Sequence, residues 1–376
     1  MDYICEVSSK FRYFALGILL LCSFSLRSNV FSKDSLNSAS AQIVFHYNTG
    51  YGFLLPHHPI MRPMAESHFW IHELSFEKKV DNSWSHRFNR PDYGFTLFYS
   101  NMNSDILGKG VGLYPYIDFP LIFNRRFLTF KSGMGLAYLS NKYDAFDNWQ
   151  NVAIGSNLNI LISLAIKYNL KFNDRITIST GPSLTHFSNG STSFPNLGIN
   201  LVNWSLTFKY TSQGAEGRLL CIKEKKEKKQ FWNVSAIWGS REIKPYGSQN
   251  YNVFGLNLNY HIKNQRQFYW NTGLGVWHNN ATEARLLRRE LKDYSEFEKL
   301  RVGMHAGITF DFDTWYFLIQ MGGYLFDQPK LDGQAYHRFG LLYNATDRFG
   351  INLTLKTHYA RADHFELGVS YIFKRK

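Results

Sequence analysis

What this chain of 376 residues lacks most clearly is a long hydrophobic run. A membrane-spanning helix needs about 20 consecutive apolar residues, and the one apolar run, Tyr13 to Leu26, is shorter. A helical membrane bundle is thereby excluded. The run follows Lys10 and Arg12 and ends among serines, which reads as a signal peptide cleaved after Ser25 or Ser28. Ala39-Ser40-Ala41 has the small-x-small form but lies far from the apolar run, and the large Leu21 before Cys22 makes a poor lipidation box. Cysteine is equally scarce. Cys5 and Cys22 fall in the segment expected to be removed, leaving Cys221 alone, so the mature chain forms no internal disulfide and no Cys-rich metal site. Acidic residues are outnumbered, giving a net charge of +13. Part of that excess sits in the run Lys223-Glu224-Lys225-Lys226-Glu227-Lys228-Lys229 and part in Lys374-Arg375-Lys376. Such runs read as solvated loops. Other basic residues suit anionic lipid headgroups, and nucleic acid as a partner conflicts with export. Gly133-Met134-Gly135, Gly273-Leu274-Gly275 and Gly322-Gly323 have no helix after them to form a phosphate cradle.

What the chain has in abundance is aromatic residues, 17% of the total, set in alternating segments. From Ile176, one parity carries Ile176, Ile178, Thr180, Pro182, Leu184, His186 and Ser188; the other carries Arg175, Thr177, Ser179, Gly181, Ser183 and Thr185. Successive strand side chains point to opposite faces, so one face is mainly apolar and the other small and polar. In an outer-membrane barrel the apolar face meets lipid and the polar face the lumen. The next segment repeats the pattern with Val202, Trp204, Leu206, Phe208 and Tyr210, a parity that also carries Asn196 and Asn200. If the two strands pair, these polar residues share the apolar face with His186 and Ser188.

Short polar turns (Asn124-Arg125, Asn173-Asp174, Lys263-Asn264-Gln265, Asp311 to Asp313, Thr346-Asp347) alternate with longer connections at 141–150, 188–197, 278–299 and 327–335. This asymmetry predicts short periplasmic turns and longer external loops. Segment 283–300 departs from the rhythm, and Ala284 to Leu291 favours a short external helix. The last segment sets Phe365, Leu367, Val369, Tyr371 and Phe373 against His364, Glu366, Gly368 and Ser370, a terminal aromatic strand of the kind read by outer-membrane assembly machinery. The fold expected is all-β, an antiparallel transmembrane β-barrel of roughly 14 to 16 strands. The unbroken rhythm favours one barrel; the alternative is an eight-stranded barrel followed by a second β unit.

His186 and Ser188 stand two apart on a strand, so both side chains emerge on one face within reach of each other. A serine nucleophile needs a base, a group to orient the base, and donors for the oxyanion. Asn189 and Asn196, in the adjoining loop, offer amide donors. The wider arrangement is more specific than the pair. His186-Phe187-Ser188-Asn189, a short loop, and Pro195-Asn196-Leu197-Gly198-Ile199-Asn200 resemble the His-aromatic-Ser-Asn and Pro-Asn-x-Gly-Ile-Glu pattern of the outer-membrane lipid A 3-O-deacylases, also called acyloxyacyl hydrolases. The resemblance spans about 42–212. It implies a calcium-independent serine esterase, without cofactor or metal, whose site lies on the lipid-facing surface near the external leaflet. It implies Ser188 as nucleophile, His186 as base, Asn196 or Asn189 at the oxyanion, and lipid A or a related outer-leaflet glycolipid as partner. The expected organisation is a leader over 1–28, a deacylase-like half over 29–212, a Lys-rich periplasmic connection over 213–230 and further barrel strands over 231–376.

One position departs from the pattern: the family's orienting glutamate falls at Asn200. An asparagine can hold a histidine tautomer but does not stabilise imidazolium as a carboxylate does. Asn200 then orients with reduced turnover, a loop acid such as Asp144 or Asp147 substitutes, or the chain is a pseudoenzyme. The rival of another class is a non-enzymatic barrel serving as channel, adhesin or scaffold, since a barrel of around 16 strands can enclose a pore. The doublet His57-His58 is flanked by Pro56 and Pro59, and His68 and His72 have no clear helix to align them; all four read as solvated or interfacial histidines rather than metal ligands.

Overall fold

The structure, a computed structural model, describes residues 43–374 except 66, 79–82, 124, 213–229, 266, 291–294 and 360. The expected leader, all three cysteines and the Lys-rich run lie outside the described residues. The first eight strands are β1 (Ile43–Leu54), β2 (His68–Lys78), β3 (Asp92–Asn101), β4 (Lys109–Ile122), β5 (Arg125–Leu139), β6 (Leu158–Lys171), β7 (Ile176–Ser188) and β8 (Ile199–Thr211). The second eight are β9 (Gln230–Arg241), β10 (Tyr251–Gln265), β11 (Phe268–Asn279), β12 (Leu300–Phe312), β13 (Trp315–Asp327), β14 (Ala335–Asn344), β15 (Phe349–His358) and β16 (Arg361–Lys374). Short α-helices α1 (Ser83–Arg87) and α2 (Ala281–Leu287) sit in connections, and no described helix is long and apolar enough to cross a membrane. The helix expected from Ala284 onward is thus present but starts earlier and ends sooner.

Local chemistry sets the strands and turns. In β1, Ile43, Phe45, Tyr47, Tyr51 and Phe53 are exposed while Val44, His46, Asn48 and Leu54 are buried, so the alternation places aromatic and aliphatic side chains outside. At the turn after β6, the Asn173 carboxamide oxygen accepts from the Arg175 and Ile176 backbone N–H groups, both at 2.9 Å. Thr346 does the same for Arg348 and Phe349 at 3.2 and 2.9 Å. These are side-chain mimics of a turn, which is why Asn and Thr recur there.

The pairing corrects the single-barrel expectation. β8 returns to β1, from Val44 opposite Thr211 to Leu54 opposite Leu201. β16 returns to β9, from Phe365 opposite Ser240 to Lys374 opposite Phe231. The result is two closed antiparallel barrels of eight strands each, the alternative foreseen for the second half of the chain. Once β8 has given its edge to β1, none is left to receive β9.

Both interiors hold buried polar side chains, many of them paired. In the first, Glu73 accepts from Asn48 Nδ2 at 3.0 Å and pairs with Lys131 Nζ at 3.4 Å, with the Tyr114 hydroxyl also donating to it. In the second, Arg338 donates through Nε and Nη2 to Glu366 Oε2 at 3.0 and 2.6 Å, and Trp277 Nε1 donates to Oε1 at 2.7 Å. Lys356 Nζ lies 3.3 Å from the centroid of the Trp277 ring. An eight-stranded barrel is only wide enough for its own side chains, so the porin-scale lumen on which the channel reading rested is absent.

The barrels touch near both ends. At the short-turn end, Arg87 of α1 pairs with Asp311 at 3.4 Å and Phe88 stacks on Phe312 at 4.7 Å. At the long-loop end the connection between β7 and β8 meets β9 and β16, as described below. Removing one partner of a buried ion pair leaves the other charge uncompensated, so Glu366→Gln is expected to destabilise the second barrel by about 3–5 kcal/mol. A lowered urea midpoint for the folded, fast-migrating gel band, with Glu73 and the first barrel untouched, is the measurement.

Candidate active site on the outer face of the first barrel

His186 and Ser188 close strand β7, and Asn200 opens β8 directly opposite His186 in the register. In β7 the buried parity is Ser179, Gly181, Thr185 and Phe187, and in β8 it is Ile199, Leu201, Asn203, Ser205 and Thr207. His186, Ser188 and Asn200 therefore point outward, on the parity that carries exposed Trp204, Leu206 and Phe208. Phe187 between them is fully buried and packs edge-on to Phe98, which anchors the strand end that presents the pair.

Asn200 Oδ1 stands 2.7 Å from His186 Nδ1, so the cross-strand pair is also a hydrogen-bonded pair. With Nδ1–H donating to that oxygen, Nε2 is left free to accept a proton. Asn196 Nδ2 donates to Ser188 Oγ at 3.1 Å, and the Gly190 backbone N–H donates to the same oxygen at 3.2 Å. Asn196 Oδ1 in turn accepts from the Asn189 backbone N–H at 3.1 Å. Among the described residues no hydrogen bond joins His186 to Ser188. The serine rests on Asn196 instead, and catalytic hydrogen bonds commonly tighten only when substrate is bound.

The Asn189 side chain, expected as an amide donor, is hydrogen-bonded within its own loop. Its Nδ2 is committed to Ser193 O at 2.7 Å and Ser156 Oγ at 3.0 Å, and its Oδ1 accepts from Ser191 N at 3.0 Å, which holds Ser191 at a positive φ of 66°. The donor beside Ser188 in addition to Asn196 Nδ2 is the Gly190 N–H, which residue-type patterning does not flag. Asp144 caps its own loop by accepting from Phe146 N at 2.8 Å and Asp147 N at 3.1 Å, and among the described residues His186 is hydrogen-bonded to Asn200 rather than to either aspartate. Gly198 has φ +85°, and a Cβ there would lie 2.7 Å from His186 Cε1, so this glycine leaves the room the imidazole occupies.

The second barrel closes on this loop. Ser191 Oγ donates to Ala362 O at 2.7 Å, the Glu242 N–H donates to Ser191 O at 2.9 Å, and the Phe194 N–H donates to Glu242 Oε2 at 2.7 Å. Glu242 also accepts from Ser248 N at 2.8 Å. A Cβ on Gly190 would strike the Phe365 ring of β16. Tyr246 packs on both Phe194 and Tyr143, with centroids at 6.4 and 5.2 Å.

The other histidines and acids fall elsewhere. His58 Nδ1 accepts from Ile60 N at 3.4 Å and so caps the 3₁₀ turn Pro59–Met64. His68 stacks on Tyr51, and His72 lies among Tyr47, Trp70 and Tyr99, as members of an outer aromatic band. Asp332, His358 and Asp363 stand close together at the mouth of the second barrel. Their carboxylates are already paired: Asp332 with Arg285 and Arg301, each at 2.8 Å, and Asp363 with Arg241. Burial pushes the Asp332 carboxyl up, but Arg241 and Arg301 prevail and hold it below the ordinary carboxylate range. The cluster reads as an ion-pair network.

Fold and site together define a class: an antiparallel membrane barrel with a serine, histidine and amide cluster on its lipid-facing side. Residues 72–209 match the family described as lipid A 3-O-deacylase (PagL), and residues 230–375 match the acyloxyacyl hydrolase C-terminal domain. The chain belongs to this family of outer-membrane deacylases, and the family relationship extends through the second barrel as well as the first. No curated protein matches the chain. Solved structures with similarity include a triple mutant of the Rhodopseudomonas blastica porin (8% identity, 89% of this chain and 100% of that chain, TM-score 0.17). A bacterial polysaccharide outer membrane secretin (10%, 91% and 100%, TM-score 0.22) and CdiB from Acinetobacter baumannii (7%, 90% and 61%, TM-score 0.18) are further examples. The barrel assignment itself rests on the strand pairing above.

Because the Glu242 carboxylate holds two backbone N–H groups on opposite sides of the barrel junction, Glu242→Ala is expected to speed amide exchange at Phe194 and Ser248 by roughly tenfold or more. Exchange in the barrel strands should not change; hydrogen–deuterium exchange read by mass spectrometry on peptides covering 189–198 and 243–250 checks it.

Proposed function

We propose that the protein is an outer-membrane serine esterase that removes an ester-linked (3-hydroxy)acyl chain from lipid A or a related glycolipid of the outer leaflet. The observation that carries the reading is the 2.7 Å bond between His186 Nδ1 and Asn200 Oδ1 on the lipid-facing side, with Ser188 two residues further along the same strand face.

In this reading Ser188 Oγ attacks the ester carbonyl carbon while His186 Nε2 takes its proton. Charge builds on the carbonyl oxygen, and we assign its stabilisation to the donors that now rest on Ser188 Oγ, Asn196 Nδ2 and the Gly190 N–H, turning to that oxygen as the bond forms. Collapse breaks the bond to the sugar oxygen, which receives the proton from His186, and an acyl-serine remains. Water, deprotonated by His186, then releases the fatty acid and restores Ser188. The outward placement lets an acyl chain stay in the leaflet throughout. Asn200 fixes the tautomer of His186 without neutralising the imidazolium, so each proton transfer costs more than with a carboxylate. Export by a cleaved leader and recognition of β16 by the assembly machinery complete the proposal for localisation.

The test is incubation of the purified, refolded protein with lipid A in detergent and mass analysis of the products. Loss of one hydroxyacyl mass by wild type is expected, with Ser188→Ala slower by roughly four orders of magnitude. Asn200→Glu is expected to raise kcat by at least about tenfold, since it restores a charge beside the imidazolium. Intact lipid A with all three proteins would leave a non-enzymatic barrel or pseudoenzyme as the reading.

A further inference from the structure

Among the described residues, His57 is a histidine outside the expected triad that is hydrogen-bonded to it. The ring lies in the connection after β1 and is exposed, and its Nδ1 is 2.9 Å from Asn200 Nδ2. The backbone is brought there by a separate bond, Leu55 N–H to Asn200 O at 2.9 Å, and Pro56 restricts the chain between the two contacts. Its neighbour His58 faces away to cap the 3₁₀ turn.

The consequence follows from the symmetry of a carboxamide. A carboxylate presents only acceptors to a histidine, so the tautomer it selects is unambiguous. An asparagine presents an oxygen or an N–H depending on its flip, and the wrong flip donates to Nδ1 and leaves the proton on Nε2, where the base is disabled. In serine proteases the Asp-to-Asn change lowers kcat by about 10⁴ for this reason. Here the His57 Nδ1 lone pair accepts from Asn200 Nδ2, which turns Asn200 Oδ1 toward His186 Nδ1.

We propose that His57 is a positioning residue that locks the Asn200 carboxamide in the flip that keeps His186 Nε2 free, so that a His57–Asn200–His186 relay takes the place of the family's single glutamate. The functional part of this proposal rests on the esterase reading of Ser188; the tautomer part does not. His57 acts through Asn200 and touches no reacting atom.

The experiment uses the full chain in detergent micelles with 15N-labelled histidine, alongside lipid A turnover. In wild type, His186 is expected as the Nδ1–H tautomer, with a 15N shift of a free imine at Nε2. His57→Ala should give mixed tautomers and a kcat lower by about tenfold with KM unchanged. His57→Gln, whose carbonyl can accept the same N–H, should recover both. In the Asn200→Glu background, which has no flip to select, His57→Ala should change kcat less than twofold. An unchanged His186 tautomer in His57→Ala overturns the proposal, as does an equal loss of kcat in both backgrounds. If wild type leaves lipid A intact, the esterase reading falls while the 15N spectra still decide whether His57 orients Asn200.

Discussion

Within lipid no water is available to the backbone, so every strand N–H and C=O must find a partner in the protein. Everything else in this molecule depends on how that demand is met. Eight strands are enough to close a cylinder whose interior its own side chains can fill, and the chain meets the demand twice, first where β8 returns to β1 and again where β16 returns to β9. Each closure then dictates an inside and an outside. The inside must pair its polar groups, as Glu73 with Lys131 and Arg338 with Glu366 do. The outside must be greasy, and any polar group left there stands out against it.

His186, Ser188 and Asn200 are such groups. They occupy the last outward positions of β7 and the first of β8, where strands give way to the loop 189–198. Strand geometry gives two of them a rigid cross-strand relation, and the loop supplies the amides of Asn196 and Gly190 around the serine. A rigid scaffold thus holds the histidine and its orienting group while the donors arrive on the more adaptable element, a division common to sites built at element ends.

Much of this was legible in the sequence because it depends on period and spacing. Alternation through β7 and β8 fixed which residues share a face, and Asn173 and Thr346 marked turns by the bonds their side chains can make. The number of barrels was not legible, since alternation says which way a side chain points and nothing about which neighbour a strand chooses. Gly190 escaped because its contribution is a backbone N–H. His57 escaped because its partner Asn200 is distant in sequence, and the adjoining His58 and prolines gave the doublet the look of an ordinary loop. Glu242 belongs to the other barrel altogether, and no local pattern connects it to Phe194.

That last contact ties the site to both halves of the chain. The loop carrying Ser188's donors is held by Ala362, Glu242 and the Phe365 ring, groups that belong to strands β9 and β16 or follow directly on them. β9 and β16 pair with each other, and that pairing closes the second cylinder. The first barrel by itself does not supply these contacts. Part of the geometry around Ser188 is thus set by β16 and the residue after β9, so one cylinder carries the residues of the site while the other helps to hold their loop in shape.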